Sequence, residues 1–168
     1  YLITALQTEV SRRIDPMDSA VLTVGNMSGG DAVNITAGEA RMVAVLRSFS
    51  DTARDTAIEE VNRICKGIGI AFDCDIEVRL EEGYALQYND PGKIDLVNKA
   101  VTAAGGKTEF IDRPFSGSED FSFFGKLTGT PSAFMMTDAG CGKEMVSLHN
   151  GKIVFNEEVM KHGVTGLA

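Results

Sequence analysis

The chain is poor in several things at once, and each shortage excludes a class. Among 168 residues there is no apolar run near the roughly 20 needed to span a bilayer. Basic residues are in deficit: 16 against 24 acidic, a net charge of −8. That argues against nucleic acid, whose phosphates call for clustered Lys and Arg. Cysteine is scarce and odd in number, with Cys65, Cys74 and Cys141 and no C-x-x-C pair. Neither a disulfide framework nor a structural zinc site is suggested; free, mostly buried thiols in a reducing compartment are expected. Internal repeats and low-complexity tracts are missing, as are a P-loop, a G-x-G-x-x-G fingerprint and a nucleophile elbow. With 43% hydrophobic and 24% charged residues, the composition is that of an ordinary soluble globular protein.

What is present reads as alternating helix and strand. The chain opens without Met, and Ile3, Leu6 and Val10 fall at helical spacing with no cap before them. A chain beginning inside a helix is expected to be a piece of a longer polypeptide. Asp15-Pro16 closes that helix. Residues 20–24 read as a strand, 27–31 as a loop, and 41–49 as a second strand. In the second strand Met42, Ala44 and Leu46 share one face, and Arg41, Val43, Val45 and Arg47 the other. Ser50 or Asp51 caps the next helix. Its stripe is Ala57, Val61, Ile64, Cys65 and Ile68, with Glu59, Glu60, Asn62 and Lys66 opposite. Residues 75–81 alternate strictly, Ile76, Val78 and Leu80 inward and charges outward, as a half-buried strand does. With one strand added before residue 1, the order is β-α-β-β-α-β, the ferredoxin-like pattern.

Asn89-Asp90-Pro91-Gly92 is turn chemistry and marks a module boundary, so the expected modules are 1–88 and 89–168. Beyond it the spacing predicts a helix over 94–104 ended by Gly105-Gly106, a short strand near 108–111, and a loop over 113–117. Ser118 is expected to cap a short helix with Glu119 and Asp120 in its first turn. Residues 132–136 read as a buried strand, 138–142 as a Gly-containing loop, and a last helix starts near Asn156.

Three places could carry chemistry. The two histidines are His149, in a loop, and His162, in the last helix beside Lys161. A lone loop His is a metal ligand or a base only if other groups join it, and no such neighbours stand in the local sequence. Asn34 and Arg47 lie thirteen residues apart on or beside adjacent strands. An Arg fork binds a carboxylate, but a solvated strand Arg and a turn Asn fit the same spacing. The run 116–121, Ser-Gly-Ser-Glu-Asp-Phe, feeds a helix N-terminus that could meet an anion or could simply be capped.

Four stretches taken in order resemble one family. They are Leu6-Gln7-Thr8-Glu9-Val10-Ser11-Arg12; Asp15-Pro16-Met17-Asp18-Ser19-Ala20-Val21 with Val24-Gly25; Gly29-Gly30 followed by Ala32, Asn34, Glu39-Ala40 and Arg47-Ser48-Phe49; and Gly117-Ser118-Glu119-Asp120-Phe121 followed by Leu148-His149 and Phe155-Asn156-Glu157-Glu158. The family is that of the metal-dependent amidohydrolases: aminoacylases, hippurate hydrolases and auxin–amino-acid-conjugate hydrolases, relatives of co-catalytic metallopeptidases. The resemblance implies an α/β fold, with an incomplete ferredoxin-like lid or dimerisation domain over 1–88. The C-terminal segment of a catalytic domain would follow over 89–168. It implies that His149 is the last ligand of a two-metal site, with zinc or manganese as the metals and cobalt as a further option. It places Asn34 and Arg47 on the substrate, Arg47 at its carboxylate, and lines that end with Gly117 and Ser118. Glu119 and Asp120 are structural in this reading.

The implied reaction is hydrolysis of an N-acyl amino acid, with two metals polarising the amide and activating water. A glutamate moves the proton and a lid histidine supports the oxyanion. Neither residue is in this chain, so the fragment alone is expected to be inactive. Homodimerisation through the lid and a cytoplasmic location complete the expectation. The loop after Asn34 lacks the proline common in the family, and Asn150-Gly151-Lys152 follows His149 instead of a proline-containing turn. The competing reading is a non-catalytic ferredoxin-like module that binds an amino acid or dimerises.

Overall fold

A computed structural model describes residues 1–139 and 149–167. The described chain is a mixed helix and strand fold that groups into two units. One contains Tyr1–Leu86 together with Pro114–Ser118, the other Gln87–Arg113 and Glu119–Ala168. No helix among the described residues is long and apolar enough to cross a membrane.

The first unit is built on one hairpin. Strand β1 (Ala20–Gly29) pairs antiparallel with β2 (Ala40–Ser48), from Ala20 opposite Ser48 to Gly29 opposite Ala40. The register slips between Val24 and Asn26, so Gly25 sits in a bulge. β1 runs five residues beyond the expected strand, into the stretch read as a loop, because its ladder continues across the bulge. Burial alternates: Ala20, Leu22 and Val24 turn inward, as do Met42 and Leu46. Helices α1 (Leu2–Arg13) and α2 (Asp51–Phe72) cover that inward face. Val21, Val43 and Val45 are left on the open face with Arg41 and Arg47.

α2 starts where the sequence places it. Ser50 Oγ accepts the Ala53 N–H at 2.9 Å and donates to Asp18, tying the cap to the turn before β1. The helix passes Gly67 and Gly69 and ends at Asp73, in the left-handed region at φ 50°. A side chain at Gly69 would meet the Cys74 carbonyl oxygen at 2.8 Å, so glycine lets the chain fold back over the helix end. Ala57, Ile64 and Cys65 of the expected stripe are buried, and Ala53 and Glu60 join them, so Glu60 belongs to the packed side and not to solvent.

The period-two segment 75–81 forms no strand among the described residues. Alternation assigns faces, but a strand exists only when its N–H and C=O groups find a ladder, and the described sheet is β1 with β2 alone. Of its expected inward side, Ile76 is half-buried, while Val78 and Leu80 are 38% and 56% exposed.

In the second unit, α3 (Pro91–Ala103) is capped by Asp90, whose Oδ1 accepts the Lys93 N–H at 3.0 Å, with Pro91 in the first turn. Gly105 follows at φ 80°. The short helix α4 (Ser122–Thr128) begins later than expected and Ser118 does not cap it. The Glu119 carbonyl accepts from Ser122 N–H and Oγ, and its carboxylate accepts from Phe121 N–H at 3.3 Å. Glu119 thus closes the turn that leads into α4, whose N-cap is Phe121. Residues 108–111 and 132–136 form no strand among the described residues. The latter is held by Asn89, whose Oδ1 accepts Phe134 N–H at 2.7 Å, and by Asp90 N–H on the Ser132 carbonyl. Phe121 packs on Phe124 and Phe134 at ring separations of 5.3 and 5.6 Å. A 3₁₀ turn (Glu157–Val159), capped by Asn156, leads into α5 (Met160–Leu167), which packs on α3. The loop expected at 138–142 lies largely outside the described residues, as does Cys141.

Candidate substrate and metal site

Arg47 stands next to the last residue of β2, opposite Val21 on the open face of the hairpin. Its Nη1 donates to the Ser116 carbonyl at 2.6 Å, a contact spanning 69 residues of sequence. The segment Pro114–Ser118 is thereby part of the hairpin's unit. Arg47 has no carboxylate partner among the described residues, whereas Arg13, Arg54, Arg63 and Arg79 all pair with acids. One nitrogen is fixed by a neutral acceptor and the remaining donors of the fork are uncommitted. That arrangement suits an incoming anion, because a guanidinium presents its donors in a rigid plane.

Gly117 follows directly. A Cβ there would run into the Phe115 ring, so glycine lets the loop fold against its own aromatic ring while the Ser116 carbonyl meets Arg47. Ser118 is exposed. Arg47 and the loop bearing Gly117 and Ser118 are therefore brought together. Asn34 is not seen joined to them: it sits exposed in the hairpin loop, residues 30–39, and makes no hydrogen bond with Arg47.

His149 is in the second unit, exposed, with its backbone in the left-handed region at φ 63°. His is one of the few side chains that enters this region with modest strain. The residues before it, including Leu148, lie outside the described part. Among the described residues no three metal-ligating side chains gather. An exposed imidazole on a turn fits one position of a divalent metal site and supplies one donor only. His162 is exposed on α5.

Of the cysteines, Cys65 is buried in α2, where burial pushes its thiol pKa up and keeps it unreactive. Cys74 is exposed, unlike the expectation of buried thiols. Reading the sequence missed a charge inside the first unit: Glu9 on α1 is fully buried. The available signal was its place three residues after Leu6, on the same helical face.

Similarity to known proteins points one way. The chain is 32% identical over 161 residues to a hippurate hydrolase of Campylobacter jejuni, covering 95% of this chain and 41% of that protein. It is 29% identical over 170 residues to an N-acetyldiaminopimelate deacetylase of Geobacillus, covering 99% of this chain and 43% of that one. The chain thus spans about two fifths of the length of these relatives. A solved Staphylococcus aureus protein named as an aminohydrolase superposes with a TM-score of 0.83 at 27% identity, over 99% of this chain and 43% of that one. The Bacillus subtilis YXEP protein, described as a dinuclear metal binding peptidase, shares the fold at a TM-score of 0.77 and 18% identity, over 99% of this chain and 43% of its own. The profile of peptidase family M20/M25/M40 matches residues 4–168, nearly the whole chain, and so the chain belongs to that family.

Proposed function

We propose that the full-length polypeptide hydrolyses the amide bond of N-acyl amino acids, using two divalent metals to which His149 contributes one ligand. The observation that carries the substrate side is Arg47: a guanidinium on an open sheet face, paired with no acid among the described residues and steadied by the Ser116 carbonyl. An N-acyl amino acid offers one carboxylate, and that fork is shaped for it. Gly117 and Ser118 flank the same place, and Asn34 would add an amide from the hairpin loop. Names among the relatives, hippurate hydrolase and N-acetyldiaminopimelate deacetylase, describe the same bond, an acyl group on an amino-acid nitrogen.

The metals, zinc, manganese or cobalt, would polarise the amide carbonyl and activate water. This chain's own contribution is to bind and orient. Arg47 would fix the carboxylate end of the substrate and so restrict how it is oriented. His149 offers an exposed imidazole on a turn. The other ligands and the general base are not among the described residues, so the 168-residue chain alone should bind weakly and not turn over. Residues 1–88 act as lid and as the dimer contact in this reading, and residues 89–168 as part of the catalytic domain.

The test is release of free amino acid from a panel of N-acyl amino acids by the full-length polypeptide, before and after chelation and with Zn²⁺, Mn²⁺ or Co²⁺ restored. Release that follows the metal supports the reading and names the acyl preference. Folded protein that releases nothing with any metal sinks it and returns the weight to a binding or dimerisation module. His149→Ala should lower activity at least about 10²-fold, since losing a metal ligand disables such a site. Wild-type activity in that variant removes His149 from the metal.

A further inference from the structure

The seam between α1 and α2 carries a carboxylate that the proposed chemistry does not use. Glu9 is fully buried, and neither of its carboxylate oxygens has a hydrogen-bond partner among the described residues. Leu6 lies one turn before it and Arg13 one turn after it on the same helix. Across the seam, α2 contributes Ala53, Ala57 and Glu60 to the buried surface.

The charges around Glu9 do not compensate it. Glu60, the acid that acts on it from α2, is held by two arginines: Arg13 Nη2 at 3.0 Å and Arg63 Nη2 at 2.6 Å, with Arg63 Nε at 2.8 Å. Both guanidinium groups are therefore spent on Glu60, and their pull keeps the Glu60 carboxyl below its usual range. β1, the other element packed on α1, has no titratable side chain. In the turn that joins them, Asp15 accepts the Met17 N–H and Asp18 accepts from Ser50 Oγ. Arg12 is exposed.

A lone buried carboxylate is costly when charged and gives up its charge instead. We infer that Glu9 stays a neutral acid in the α1–α2 seam and that its ionisation loosens the two helices, a pH-sensitive joint in the first unit. Burial, and after it the negative charge of Glu60, pushes the Glu9 pKa up to about 7 from 4.5. The direction of the linkage follows. Glu9 binds its proton more tightly folded than unfolded, so its stabilising effect is complete below pH 4.5 and is lost as pH rises towards 7. Within that window the equilibrium constant for folding loses up to about tenfold per pH unit on account of Glu9, and above it the loss is complete. Glu60, whose pKa is lowered, acts with the opposite sign: its contribution is present above the unfolded value and lost on acidification. The net profile of the wild type therefore mixes two slopes, and only a comparison that removes Glu9 isolates its share.

The experiment is amide hydrogen exchange across α1 and α2 in the full-length polypeptide, read at pH 5 and pH 8.5 for the wild type, Glu9→Gln and Glu9→Leu. Comparing proteins at one pH cancels the intrinsic exchange rate. At pH 5 the protection of α1 in wild type and Glu9→Leu should agree within about threefold. At pH 8.5 the wild type should be less protected by about ten- to a hundredfold, because only the wild type must then ionise. Glu9→Gln should follow Glu9→Leu in the pH dependence of this gap, whatever constant offset its own buried amide adds. Glu60→Gln, which frees Arg13 and Arg63 to meet a Glu9 anion, should shrink the gap. A purely structural Glu9 gives a gap that is the same at both pH values, and that result overturns the inference.

Discussion

Two segments of the first unit alternate with period two, and only one of them became a strand. β2 pairs along its length with β1, while residues 75–81, with the cleaner alternation, have no ladder among the described residues. The difference is not in propensity: Ile76, Val78 and Leu80 are as suited to a sheet as Met42, Ala44 and Leu46. It lies in what each segment meets. β2 follows β1 directly in the chain and is covered by two helices, whereas residues 75–81 follow the end of α2 and pair with neither strand of the described sheet. Periodicity says which way side chains would point; partners decide whether the backbone is held. The same contrast separates the packed helix seam from the open sheet face and the extended segment, and it can be tested at graded cost.

The largest effect belongs to the seam. Ala57 is fully buried in α2, in the same seam as Glu9 and Glu60. Ala57→Asp would bury another acid there, with no space and no free cation, and should cost about 3–5 kcal/mol. Circular dichroism on heating should show the cooperative transition lost or shifted down by well over ten degrees. A shift of a degree or two would mean that the seam is far looser than its burial indicates.

Next comes the open face, where stability is barely touched and binding should be. Arg47→Lys keeps the charge but replaces a planar fork with a point donor. In the full-length polypeptide the KM for an N-acyl amino acid should rise about tenfold, a loss of ~1.4 kcal/mol, with kcat less affected. Arg41→Lys, on the same face at the far end of β2 and opposite Ser28, is the control and should leave KM unchanged. Equal responses from the two arginines would mean that the Ser116 contact confers nothing on Arg47.

Much of the frame was legible because it rests on local chemistry. Ser50 stands where a cap was expected and accepts the Ala53 N–H. Asp90, read as turn chemistry ahead of a helix from 94, caps α3 three residues earlier, and Asn156, near which the last helix was expected to start, caps the 3₁₀ turn. The β1–β2 pairing also follows from two apolar runs and a loop between them. Reading failed where the outcome depends on distant residues. The stretches 108–111 and 132–136 are short apolar runs whose partners no local pattern names. Ser118 looked like a cap, but Glu119 supplies the acceptors and the helix begins at Ser122. Glu9 and Glu60 were invisible as core residues because a charge on a helix is ordinarily read as solvent-facing, and only the opposite helix turns them inward. For the site, Arg47 and the Gly117 loop were legible as strings from the family resemblance, and the structure adds the Ser116 carbonyl that joins them. The caps give a third, smaller test. Ser50→Ala should cost about 1 kcal/mol, while Ser118→Ala should leave the melt within about 0.5 kcal/mol, since only Ser50 holds a helix N–H.

The smallest effect is the most informative about the extended segment. Val78 is partly exposed and its neighbours 75–81 are held by no ladder, so Val78→Asp removes little buried surface and leaves no charge in a core. In the 168-residue chain the melt should move by no more than about 0.5 kcal/mol, the range of an ordinary surface change. A loss of about 2 kcal/mol or more would mean that Val78 is covered in solution and that this segment is laddered against another strand. Val78→Thr separates the two cases further. It keeps the β-branched shape, so it should be silent on an open segment, while in a covered strand its hydroxyl would need a partner and would cost stability. A cost from both substitutions would restore the half-buried strand that the alternation predicts; silence from both would leave the pattern as a record of faces without a sheet to hold them.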